Sequence, residues 1–317
     1  MAQKQSPRIS VIDPISPTFD RVKIMLFKPF DLAKWFIIGF CAWLAYLGSG
    51  GGGGGGPRFN VPAKDHGQDL QISQALDQAK EFILNNLYWV IPAAVVGLTI
   101  MIILWLVITW LSSRGHFMFL HCVAQNKAEV KNPWKKFKHH ANSLFLFRII
   151  LGVIGFVVVG LPVLGLVFLI LITISRTGLL TASVLGFVVI GIIIAAISIV
   201  LFLVKKFTMD FVVPIMFLRT TSCLAAWRQF WALFSNNLAR FALYLLFQIV
   251  IFIAICAILM AAALVTCCCA ACIFSIPYIG TVAMLPLFVF KRAYSLYYLQ
   301  QFGPDFDVFT PEAAPQP

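Results

Sequence analysis

Long apolar runs alternate with short basic, aromatic segments along most of the chain. The runs at residues 30–47, 89–111, 144–174, 180–204, 241–265 and 278–290 predict six membrane-spanning helices, because about 20 apolar residues of helix cross a bilayer. The run at 144–174 is too long for a perpendicular crossing, so a tilt, a kink near Pro162 or a partly interfacial course is expected. The first and last runs are short. The polar, proline-containing stretch before residue 30 favours an uncleaved anchor over a cleaved signal peptide. The pattern predicts an all-α polytopic membrane protein: a cytoplasmic N-terminal segment (1–29), a six-span membrane domain (30–290) and a cytoplasmic tail (291–317).

The connecting segments carry patterns of their own. Residues 18–27 predict a short interfacial helix. On the opposite, outer face, segment 48–88 opens with seven glycines at 50–56, a linker without the Lys-Ser/Thr of a phosphate loop. It continues at 68–86 as an amphipathic helix bearing Asp69, Asp77 and Glu81. Two inner segments, 112–142 and 205–240, are basic and aromatic. In the second, Trp227, Phe230, Trp231, Phe234 and Leu238 share one helical face, which predicts rings turned toward the acyl boundary as interfacial anchors. In the first, Trp134 is the corresponding anchor, followed by Phe137, Asn142, Leu144 and Arg148. The ordered parallel with Trp227, Phe230, Asn236, Leu238 and Arg240 suggests an internal duplication.

Composition excludes a soluble domain. Hydrophobic residues make up 61%, charged residues 11%, and mean hydropathy is +0.92, whereas a soluble surface needs about twice that charge. The formal net charge of +12 is distributed by face. Twenty of the 24 Lys and Arg fall in segments predicted to be inside, which places both termini in the cytoplasm. Anionic inner-leaflet lipid is then the expected partner, contacted by Lys131, Lys135, Lys136, Lys138, Lys205, Lys206, Arg219 and Arg228. A nucleic-acid reading of the patch from Lys127 to Lys138 fails because it lies beside a span.

The run Asp210, Phe211, Val212, Val213, Pro214, Ile215, Met216, followed by Ala226, Trp227, Arg228 and Asn237, resembles a signature of uncharacterised bacterial multi-pass proteins. These are similar to the membrane domain accompanying some glycerophosphodiester phosphodiesterases. The resemblance covers roughly 205–260, with an echo at 112–150, and implies a six-span membrane fold in a bacterial cytoplasmic membrane. It does not carry the phosphodiesterase activity, because the catalytic barrel needs roughly 250 further residues.

Other candidate chemistry is sparse. Cys267, Cys268, Cys269 and Cys272 form a cluster whose small side chains fit packing at the outer ends of two spans better than metal or redox work; one disulfide is an open alternative. His116, His121, His139 and His140 read as interfacial histidines. No ionisable residue occupies a predicted span centre, which argues against ion-coupled transport. Gln248 predicts a hydrogen bond between helices, and glycines 152, 155, 160, 165, 186 and 191 predict close helix packing. No nucleophile–base or carboxylate pair suggests an enzyme, and no cofactor is expected. The residues point to a membrane scaffold or organiser that contacts anionic lipid, with a membrane-protein partner left open and unidentified. The alternative is a transporter or lipid-handling protein with a path between two half-repeats.

Overall fold

A computed structural model describes residues 9–48, 86–176, 181–265 and 276–309. The described chain is helical, with no strand among the described residues. Its helices are α1 (Ile15–Val22), α2 (Leu32–Tyr46), α3 (Leu87–Gln125), α4 (Lys131–Lys136), α5 (Lys138–Gly155), α6 (Leu161–Arg176), α7 (Thr181–Phe207), α8 (Val213–Arg219), α9 (Cys223–Asn236), α10 (Leu238–Val265), α11 (Pro277–Ala283) and α12 (Leu285–Gln300). The glycine run, the amphipathic stretch 68–86 up to its last residue and the cysteines at 267–272 lie outside the described residues.

Prolines set the local geometry. Single π turns occupy Lys23–Phe27, Phe156–Gly160 and Thr208–Val212. Each ends two residues before a proline: Pro29, Pro162 and Pro214. At Pro162 and Pro214, which lie within continuing helix, proline lacks the N–H that would bond four residues back and its ring pushes that carbonyl away, so the preceding turn widens. Before Pro29 the chain is already extended at Lys28, and the π turn ends the helix. Where a kink near Pro162 is one expectation, a π turn lies between α5 and α6.

Element order repeats. Helix α3 is 39 residues long, and α7, its π turn and α8, of 27, 5 and 7 residues, form a continuous helix of the same length. Each ends on a left-handed residue, Asn126 or Thr220, the described non-glycine positions with positive φ. A shorter helix follows (α4 or α9), then a break at Phe137 or Asn237, then a long apolar helix. This matches the duplication read from the sequence.

Among the described residues, four helical stretches are long and apolar enough to cross a membrane: Tyr88–Gln125, Lys138–Leu169, Gly186–Arg219 and Leu238–Ala261. The other two predicted spans are shorter. The 15 residues of α2 rise only about 22 Å, against roughly 30 Å of hydrocarbon. Helix α2 also runs antiparallel to the C-terminal part of α3. Lys34 Nζ donates to Asn126 Oδ1 (3.0 Å), Ser112 Oγ donates to the Ala45 carbonyl (2.7 Å), and Gly48 lies against Ile108. The predicted first span therefore sits beside residues 108–126 of α3 and not beside its long exposed apolar stretch. Helix α11 packs on α2, where Tyr278 donates to the Phe36 carbonyl and Val282 meets Gly39.

Burial divides the long helices lengthwise. Leu98, Met101, Phe168, Ile192 and Phe252 are exposed, as a lipid-facing surface must be. Toward the basic ends the same helices enter one packed core. It holds Phe117, Leu120, Phe211, Ile215, Phe230, Phe241, Tyr244, Tyr294 and Tyr298, with α1, α2 and α12 wrapped against them. Phe211 lies parallel to Phe230 with centroids 5.5 Å apart and meets Phe241 edge-on at 5.2 Å. Arg21 closes α3 by donating to the carbonyls of Val123 and Ala124, which a helix C-terminus leaves unpaired.

The glycines only partly follow expectation. Close approaches occur at Gly39, where an added Cβ would lie 2.6 Å from Val282, and at Gly115, where it would run into the main chain of Leu44 and Ala45. Among the described residues, nothing lies within 4 Å of a Cβ added at Gly165, Gly186 or Gly191, and one at Gly160 meets its own helix's Phe156. Spacing alone does not say which glycine meets a neighbour.

Candidate functional site

The basic aromatic segments do not fold as a single lipid-facing belt. On α4 and the start of α5, Lys131, Lys135, Lys136 and Lys138 are all exposed. Their neighbour Trp134 turns the other way. Its ring meets Trp110 edge-on at 6.0 Å, and the Arg114 guanidinium lies between the two indoles, 4.3 Å from Trp110 and 4.7 Å from Trp134. A mostly buried guanidinium held this way gains cation–π attraction while shedding water.

Helix α9 inverts the expected arrangement. Phe230 is 1% exposed, Trp227 donates from Nε1 to Thr208 Oγ1 (3.2 Å), and Phe234 packs on Phe207 at 5.4 Å. These three rings cover protein and not the acyl boundary. Of the predicted α9 anchors, Trp231, at 59% exposure, faces outward, and so does Arg228 on the same helix. The physical reason is the core itself: α9 lies across the π turn Thr208–Val212, whose Phe211 needs a partner.

Two predicted headgroup contacts are engaged internally. Lys206 Nζ lies 2.7 Å from Asp210 Oδ2, one helical turn on. Arg219 sits over the Phe306 ring at 5.5 Å and 3.9 Å from Asp305. Lys205, next to Lys206, instead lines a cavity.

Sequence reasoning missed the ionic network inside the core. Asp210 also accepts from Tyr244 Oη (3.1 Å), which accepts from Gln248 Nε2 (3.0 Å), and Gln248 Oε1 lies 3.4 Å from Lys206 Nζ. The hydrogen bond expected of Gln248 thus reaches from α10 to α7. Arg292, 5% exposed, donates through Nη1 to the Met209 carbonyl at 2.5 Å. The sequence signal for the network is the i, i+4 spacing of Lys206 and Asp210.

The histidines also differ from expectation. His116 and His121 are buried, His116 against Tyr46 and His121 between Phe137 and Phe217. They are core rings and not headgroup-level groups. Among the described residues no three His, Cys, Asp or Glu side chains gather as a metal site would require. Cys41 and Cys122 meet across α2 and α3 with sulfurs 3.9 Å apart, a contact no spacing rule announces.

The model of a family of unknown function, DUF7544, matches residues 9–287. The chain belongs to this family. The match covers α1 through the start of α12 and so takes in both repeats and most of the ionic network. An uncharacterised family is what the resemblance implies; the match carries no link to a phosphodiesterase membrane domain. No curated protein and no solved structure matches the chain.

Proposed function

We propose that this member of DUF7544 is a non-enzymatic membrane protein that organises anionic lipid around a rigid helical core. The single observation that carries the reading is the exposure of Lys131, Lys135, Lys136 and Lys138 together, where α5 leaves toward its apolar stretch. All four lysines are turned out on one short stretch of chain. Clustered lysines beside a span attract anionic headgroups at about 1 kcal/mol each. Arg228 and Trp231 on α9 add a second exposed contact of the same kind.

On this reading both termini lie on the cytoplasmic side of a bacterial cytoplasmic membrane. Four crossings and six crossings agree on that parity, with α2 and α11–α12 as the shorter pair. A kinship with the membrane domain accompanying some glycerophosphodiester phosphodiesterases is part of the same reading, resting on Asp210 to Met216 and Trp227. A membrane-protein partner follows from the scaffold role.

The test is lipid selectivity at the protein boundary. Purified protein is reconstituted in phosphatidylcholine bilayers with spin-labelled phosphatidylglycerol, and the motionally restricted fraction is measured for wild type and for the Lys135→Gln, Lys136→Gln double variant. The wild type should prefer phosphatidylglycerol, and the variant should lose about fivefold of that preference per lysine. Added salt should weaken the wild-type preference. Equal selectivity in the two proteins rejects the proposal.

A further inference from the structure

Between α3, α5 and α7 lies an open cavity of about 520 Å³, within the roughly 300–1,000 Å³ of small-ligand sites. Its walls are apolar along most of their length, with Trp105 and Leu201 prominent. Gly152 and Gly155 make the room on the α5 side. A Cβ at Gly152 would lie 2.9 Å from the Trp105 ring, and one at Gly155 would lie 3.7 Å from Leu201 Cδ1. One end is different: Arg148 and Lys205 both line the cavity there.

Arg148 is fixed by the helices around it. Its Nη1 lies 3.1 Å from both Ser112 Oγ and Ser113 Oγ, and Ser112 in turn donates to the Ala45 carbonyl. A guanidinium has five N–H donors, and this grip on one nitrogen holds it in place while leaving others for a ligand. Neither Arg148 nor Lys205 is paired with a carboxylate among the described residues. Their like charges oppose one another. A cation among transmembrane helices costs several kcal/mol unless it is paired or reaches a polar layer, which makes it a functional-site marker. Basic pockets between transmembrane helices suit anionic lipid headgroups.

We propose that this cavity holds one anionic phospholipid, its phosphate between Arg148 and Lys205 and an acyl chain along Trp105, Gly152 and Gly155. The proposal rests on the protein being membrane-embedded and not on the lysine face of α4. It gives the two half-repeats a shared ligand, since α3 and α5 come from the first and α7 from the second.

Native mass spectrometry of protein taken from bilayers of equal phosphatidylglycerol and phosphatidylcholine tests it. Wild type should keep one phosphatidylglycerol after the remaining lipid is stripped. Gly155→Leu, which fills the slot beside Leu201, should abolish retention. Lys205→Gln, an exposed position that leaves the Arg148 anchor intact, should weaken it about fivefold. The Lys135→Gln, Lys136→Gln variant should retain the lipid as wild type does. Thermal unfolding midpoints of each variant confirm that it is folded. Retention of phosphatidylcholine equal to phosphatidylglycerol, persistence of the lipid in Gly155→Leu, its loss in the α4 variant, or a lipid-free dimer in wild type would each overturn the proposal.

Discussion

Gly115 stands where α3 crosses α2, and replacing it with alanine probes that crossing directly. A Cβ there would press on the Ala45 nitrogen and lie 2.5 Å from the Leu44 carbonyl carbon. Both are main-chain atoms of a helix, so no side-chain rotation relieves the clash. Overpacking a well-filled interior costs about 1–3 kcal/mol, and a backbone obstacle puts this site near the upper value. Alanine recovers up to about 1 kcal/mol of helix propensity over glycine, leaving a net loss of about 2 kcal/mol. Moving α2 also strains the Ser112 bond to Ala45, and through Ser112 the seat of Arg148. In detergent the Gly115→Ala midpoint should fall by a few degrees, on the order of 4 °C. Site-resolved maleimide labelling should show faster modification of Cys41 and Cys122, buried at the same helix pair. Gly165→Ala is the control: with nothing among the described residues within 4 Å of the added Cβ, it should be neutral or stabilising. A Gly115→Ala protein with the wild-type midpoint and protected thiols would refute the close crossing.

Two further substitutions test the core. Asp210→Asn leaves Lys206 without its carboxylate, and removing one member of a buried pair costs about 3–5 kcal/mol; Lys206→Gln added to it should restore part of the loss in a thermal-unfolding cycle, and strict additivity would show the pair to be uncoupled. Phe211→Ala removes the ring shared by Phe230, Phe241 and Tyr244, for a loss of about 3–5 kcal/mol, so a midpoint within a degree of wild type would contradict its central place.

Much of the fold is legible in the apolar runs, because a helix that meets lipid cannot hide its composition. Residues 89–111, 181–204 and 241–265 lie within long apolar helices, and the break in regular helix near Pro162 follows from the chemistry of proline alone. What the runs do not state is which part of a helix meets lipid and which meets protein. The face of Trp227, Phe230 and Phe234 is apolar for either purpose, and only the presence of Phe207 and Phe211 opposite it decides that protein covers it. The same ambiguity holds at 30–47, where the apolar run does not announce that α2 lies along residues 108–126 of α3. Glycine spacing misleads for a related reason: Gly115 meets a backbone and Gly165 meets nothing among the described residues, yet both sit in helical sequence. The site divides along this line. The lysines of α4 are neighbours along the chain, so their run is plain from the order of residues alone. Arg148 lies on α5 and Lys205 on α7, with α6 between them in the chain, and each alone reads as a residue reaching for the headgroup layer. Only the packing of α3, α5 and α7 turns them toward one cavity. A lysine run makes a diffuse surface field that any anionic headgroup satisfies. Two cations converging at one end of an apolar slot ask for a molecule with one anionic end and one apolar end, and that distinction in chemistry separates a surface that gathers lipid from a site that selects one.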